Sequence, residues 1–135
     1  MACDMLQCPC HSGKEYALCC QRYHKGEPAE NAQALMRSRY SAYALHLADY
    51  IMATTHPQNK TYIQDKKLWK QQIDAWTHVT EFEDLKILDF KDGKETAEVT
   101  FKAILKAGNR DTSFQETSHF EKVNDRWLYK SGKPT

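Results

Sequence analysis

The chain has 135 residues, 41% of them hydrophobic and 27% charged, ordinary values for a soluble protein with room for one domain. At this length folding buries roughly two thirds of the unfolded surface, so disulfide staples are not needed for stability. Nineteen Lys plus Arg against eighteen Asp plus Glu leave a net charge of +1, which disfavours any dominant attraction to nucleic acid or an anionic membrane, and no apolar run is long enough to span a bilayer.

The first segment, MACDMLQCPC, has neither a basic start nor a sustained apolar stretch, so it does not read as a secretory signal and a cytoplasmic location is expected. All five cysteines (Cys3, Cys8, Cys10, Cys19, Cys20) fall within the first twenty residues. Thiols clustered in this way in a reducing compartment point to metal binding or redox chemistry rather than a disulfide framework. Cys8-Pro9-Cys10 and Cys19-Cys20 form two close pairs around a loop that turns at Ser12-Gly13. Four thiolates about 2.3 Å from one ion make a closed tetrahedral zinc site, structural rather than catalytic because no position is left for water. A vicinal disulfide and free buried thiols are the alternatives. Neighbouring side chains diverge in extended backbone, so His24 stands as a possible substitute for Cys20. Cys3 has no place in the set and reads as a spare thiol. Lys14, Arg22 and Lys25 are the nearby cations that would offset the site's negative charge. Lys25-Gly26-Glu27-Pro28 closes the head, giving a zinc-binding unit over 1–26 and an α+β domain over 27–135.

Met36, Tyr40, Tyr43, Ala44, Leu47 and Ile51 recur at three- and four-residue spacing and predict an amphipathic helix that ends before Pro57. His46 to Asp49 can divide it, with Asp49 as a cap for a second short segment. A further helix is predicted from about Asp65 to Trp76, with Leu68, Trp69, Gln72, Ile73 and Trp76 near one face. From Thr96 to Ala107 the period changes to two, the mark of a strand with one wet face. Strands over 112–123 and 126–130 follow, separated by the turn signal Asn124-Asp125. Four strands in sequence after the helices suggest an antiparallel meander whose apolar face wraps the helical layer.

Cys8-Pro-Cys10, Ser12-Gly13-Lys14, Tyr16 and Cys19-Cys20 resemble the SEC-C zinc motif known from the C-terminal tail of the preprotein translocase ATPase SecA. The continuation Cys20-Gln-Arg22-Tyr-His24, then Ala34 to Tyr43, Glu116-Thr-Ser118-His-Phe120 and Trp127-Leu-Tyr129 resemble the YchJ family across nearly the whole chain. The resemblance implies a nuclear transport factor 2-like, cone-shaped α+β domain behind the zinc head, and no established activity. His11 stands where the motif usually has Gly. The second SEC-C copy that some relatives carry has no counterpart in Lys130-Ser-Gly-Lys-Pro-Thr135, so one head per chain is expected.

Within such a cone, Phe114, Glu116, Ser118 and Phe120 share one face of a strand, and a carboxylate on a core-facing stripe needs a partner. Arg37, about one turn before Tyr40, is the predicted partner, and Tyr40, Tyr43, Ser118 and Trp127 complete a candidate ligand pocket. The plainer reading of the same pair is an ion pair that fixes helix to sheet. His119 falls on the opposite, wet face, while His56 and His78 fall in loop or helix-end positions. Trp69, Trp76 and Trp127 read as core aromatics rather than base-stacking platforms, and Lys60, Lys66, Lys67 and Lys70 as a solvated face, so nucleic-acid contact is disfavoured. Two functions fit: a non-enzymatic module whose zinc head docks to a protein or ribosomal partner, or a small-molecule binder or enzyme using the cone.

Overall fold

Side-chain alternation over residues 96–107 builds the strand against which the other elements are laid. The computed structural model describes residues 6–135, so Cys3 lies outside the described residues. Strands β1 (Glu81–Lys91) and β2 (Thr96–Ala107) pair antiparallel, and β2 buries Ala97, Val99, Phe101, Ala103 and Leu105, the face predicted from the two-residue period. The two-residue β3 (Arg110–Asp111) folds back on β2, and β4 (Phe114–Val123) and β5 (Arg126–Pro134) complete an antiparallel sheet of order β1-β2-β4-β5. Register shifts at Phe82/Asp84, Ile87/Asp89 and His119/Phe120 are irregularities of the kind that bend and twist a sheet.

Among the described residues four α-helices precede the sheet: α1 (Gln21–His24), α2 (Ala32–Ala44), α3 (Ala48–Ala53) and α4 (Lys66–His78). Asn31 caps α2 by accepting the Ala34 N–H at 2.8 Å, and Asp65 caps α4 by accepting that of Leu68 at 3.1 Å. The long predicted helix divides at His46, which takes the left-handed conformation (φ 62°). There the Leu47 N–H reaches the Ala42 carbonyl (2.8 Å) and the His46 N–H that of Tyr43 (3.2 Å), the paired bonds of a Schellman stop. Asp49 does not cap the next segment: Leu47 holds that position and Asp49 lies in the first turn of α3.

Leu35, Met36 and Tyr40 of α2 pack on Val99, Phe101, Leu105 and Trp127 to make the main core. Ala42, Ala48, Ile51, Trp69 and Ile73 make a second cluster between α2, α3 and α4. Trp76 corrects the core assignment of all three tryptophans. It is 40% exposed, against 4% for both Trp69 and Trp127, because the buried stripe of α4 runs through Trp69, Ile73 and Thr77 instead. Among the described residues no helix is long and apolar enough to cross a membrane.

Candidate metal centre and the cavity beside it

The head is a short hairpin that returns into a helical turn. The Tyr16 N–H donates to the Leu6 carbonyl (2.8 Å) and the Cys8 N–H to the Lys14 carbonyl (2.9 Å), which puts Cys8 and Cys10 at the hairpin tip. His11 and Gly13 both take positive φ there (60° and 86°). A 3-10 turn over Tyr16–Leu18 then carries Cys19 and Cys20 back to the tip. The Sγ atoms of Cys8, Cys10, Cys19 and Cys20 all lie within 4.8 Å of one another. Cys10 and Cys19 are 3.6 Å apart and Cys19 and Cys20 3.9 Å. Four ligands about 2.3 Å from a tetrahedral ion sit roughly 3.8 Å from one another, so the donor set fits a single metal ion. Adjacent Cys19 and Cys20 both reach the site because the backbone at Cys20 is already helical.

His24 is not part of this set. Its Nδ1 accepts from the Tyr16 hydroxyl (2.6 Å) and its Nε2 donates to the Ser38 carbonyl (2.8 Å), so both ring nitrogens are engaged elsewhere. Burial holds its pKa below the ordinary histidine value, in keeping with a neutral ring. The cation at the site is Arg37, whose Nη1 donates to the Cys10 carbonyl (3.0 Å) and lies 4.0 Å from Cys10 Sγ. Arg22 is turned away toward Glu27 and Glu30 (3.7 and 3.8 Å), and neither Lys14 nor Lys25 forms an ion pair or side-chain hydrogen bond at the sulfurs among the described residues. Hydrogen bonds from Cys20 and Cys8 hold the Cys10 thiol far below its ordinary range, and the same sharing pushes Cys8 up to about 11 and Cys20 higher still.

Arg37 consequently makes no ion pair with Glu116. The helix turns it to the side that faces the head, and Arg39 faces the sheet instead. Trp127 is likewise absent from the pocket's lining: it is buried in the main core and lines a separate cavity with Leu35 and Tyr50. Tyr40, Tyr43, Glu116 and Ser118 do line one cavity of about 170 Å³ between α2 and the sheet. Its walls are aromatic, with Trp76 and Phe82 edge to face at 5.5 Å and Tyr43 edge to face with Trp76 at 5.1 Å. At its polar end, Glu116 Oε2 accepts from Ser118 Oγ (2.6 Å) and from the Tyr129 hydroxyl (3.1 Å).

Two residues of that end were not singled out from the sequence. Gly132 lies directly under the Glu116 carboxyl, so close that a Cβ would collide with it; the cross-strand register that brings them together is not written in either segment alone. Arg39 is only 6% exposed, and its Nη1 donates to the Ile51 carbonyl, Thr54 Oγ1 and Thr55 Oγ1 while the guanidinium lies 4.8 Å over the Tyr129 ring. The outer face of the sheet holds a further unread group: His56, 6% exposed, lies 3.0 Å from Glu121, which also accepts from Lys130 at 2.8 Å. His119 pairs with Glu98 at 3.3 Å on that same wet face.

Helices laid on a curved antiparallel sheet behind a four-cysteine knuckle define a nuclear transport factor 2-like α+β protein with an N-terminal site able to take a metal ion. The family model for the middle NTF2-like domain of YchJ matches residues 31–132, and that for the SEC-C motif matches residues 7–22. A UPF0225 protein of Haemophilus influenzae (strain PittEE) is 38% identical over 124 residues, covering 90% of this chain and 74% of that one. Another from Sodalis glossinidius is 35% identical over 131 residues, covering 93% and 82%. The solution structure of a SEC-C motif containing protein from Rhodopseudomonas palustris superposes with a TM-score of 0.82 at 33% identity, covering 96% of this chain and 99% of that one. The chain belongs to the YchJ family.

Proposed function

We propose that the four sulfurs hold one zinc ion in a purely structural role, and that the head so braced is a docking module for a protein partner, ribosomal proteins included. Four closely set thiolates suit zinc by softness and geometry, and their need to stay reduced fits the cytoplasm. The observation that carries the docking reading is the placement of exposed apolar side chains. Leu18 (71%) and Leu6 (68%) are the most exposed large hydrophobic residues among those described, and both belong to the head. A segment this short cannot hold them out rigidly on its own, and a bound metal supplies the stiffness. In affinity capture from a bacterial lysate, Leu6→Asp/Leu18→Asp and Cys8→Ser/Cys10→Ser are expected to lose the same partners while the sheet stays folded. Partner sets identical to wild type for both variants contradict the proposal.

The cavity supports a second reading, a small-molecule site in the body. Concave, mainly apolar sites with a few convergent polar groups are where small ligands bind, and this one has a carboxylate fixed at its inner end by two hydroxyl donors.

A further inference from the structure

Building on the small-molecule reading of the cavity, we propose that its ligand is a flat, uncharged molecule with an amide-type edge, one hydrogen-bond donor beside one acceptor on a six-membered ring. Size comes first. Apolar cavities of roughly 150 Å³ take a benzene-sized guest, so about 170 Å³ leaves room for one ring and a small polar group. Shape follows from the walls, where Tyr43, Trp76 and Phe82 pack on one another as an aromatic cluster that lines the cavity and favours a flat guest.

The polar end fixes the charge. It holds one full negative charge on Glu116 and one full positive charge on Arg39, and among the described residues neither takes part in an ion pair. Tyr129 stands between them: its ring carries the guanidinium and its hydroxyl donates to the carboxylate. Among the described residues both hydrogen bonds to Glu116 fall on Oε2, leaving Oε1 as an acceptor without a donor, and the three from Arg39 leave from Nη1, so its other nitrogens retain donor capacity. A ligand with a net charge would match one of these groups and be repelled by the other. A neutral donor–acceptor edge satisfies both.

The probes are benzamide, benzylamine, benzoate and toluene, titrated into the zinc-loaded full chain and followed by ligand-observed NMR. Benzamide is expected to bind at least about tenfold tighter than the other three. In Glu116→Gln, Ser118 and Tyr129 claim the single amide oxygen and turn its NH2 toward the ligand, so benzamide should weaken by about tenfold with little change in thermal midpoint. Trp76→Ala, at a half-exposed position where folding is tolerant, should also weaken it. Preference for benzylamine or benzoate overturns the neutral-edge assignment but leaves a ligand site; toluene binding as well as benzamide reduces the site to an apolar hole. Binding of none of the four overturns the small-molecule reading as well.

Discussion

His11 holds a left-handed backbone, φ 60°, at a turn where glycine carries no penalty. Its ring reaches β1, with Nε2 3.4 Å from the Phe82 carbonyl and Nδ1 3.8 Å from Asp84, and lies edge to face with Tyr40 at 6.0 Å. The residue therefore trades local strain of about 1 kcal/mol for a tie between head and body. His11→Gly should leave global stability within about 1 kcal/mol while hydrogen exchange at the hairpin tip quickens; unchanged exchange contradicts the tie. Gly132→Ala drives the Glu116 carboxyl off its seat and away from Ser118 and Tyr129, at a cost of about 1–2 kcal/mol by urea denaturation. Lys130, and then His56, holds the Glu121 carboxyl below its usual pKa. A carboxylate depressed in the folded state adds stability above its unfolded pKa and loses it as pH falls through the lower, folded value. Glu121→Gln should accordingly be less stable than wild type at pH 7, with the gap closing on acidification; a gap that persists at acid pH contradicts this. Of these residues Glu116, with its strand-mate Ser118, was legible because a period of two assigns a face without tertiary information, and His11 only as the occupant of a position where the motif usually has Gly. Arg37 and Arg39 lie on opposite flanks of Tyr40 on the helix, and only the packing of α2 says which one meets the sheet.

At the scale of elements, β2 was readable to its ends because one face is dry and the other wet. Helix α2 was not, although its stripe through Met36 and Tyr40 was. Ser38 and Ser41, which lie off that stripe, are fully buried, with Ser38 Oγ hydrogen-bonded to the Tyr50 hydroxyl at 2.7 Å and Ser41 Oγ 3.3 Å from His24 Nε2. Head and α3 cover this second face, so the helix is sandwiched and its polar side meets protein instead of water. Small hydroxyl residues permit that close approach, and their local bonds to the Leu35 and Ser38 carbonyls keep them satisfied. Asn31→Ala removes the cap of a helix that touches head, sheet and α3 alike. It should cost about 1 kcal/mol by chemical denaturation, and no loss would mean that packing alone fixes the first turn of α2.

For the whole molecule, the head is bound to the body through His11 on β1 and through His24 and Arg37 on α2, while its own fold rests on a hairpin, one helical turn and the sulfur cluster. Five cysteines confined to the first twenty residues made that cluster legible. Cys20 was already read as the fourth sulfur with His24 as a possible substitute, and the folded geometry engages His24 elsewhere; the cation, Arg37, emerged only from the fold. Chelation should raise exchange across residues 6–26 and leave β2 and β4 protected, since the main core contains none of the cysteines. The most direct test is native mass spectrometry of freshly purified, reduced protein. One zinc per chain, lost together in Cys8→Ser/Cys10→Ser, is the expected result. A metal-free chain, or one lighter by the hydrogens of a disulfide in a sample that still captures its partners, would contradict it.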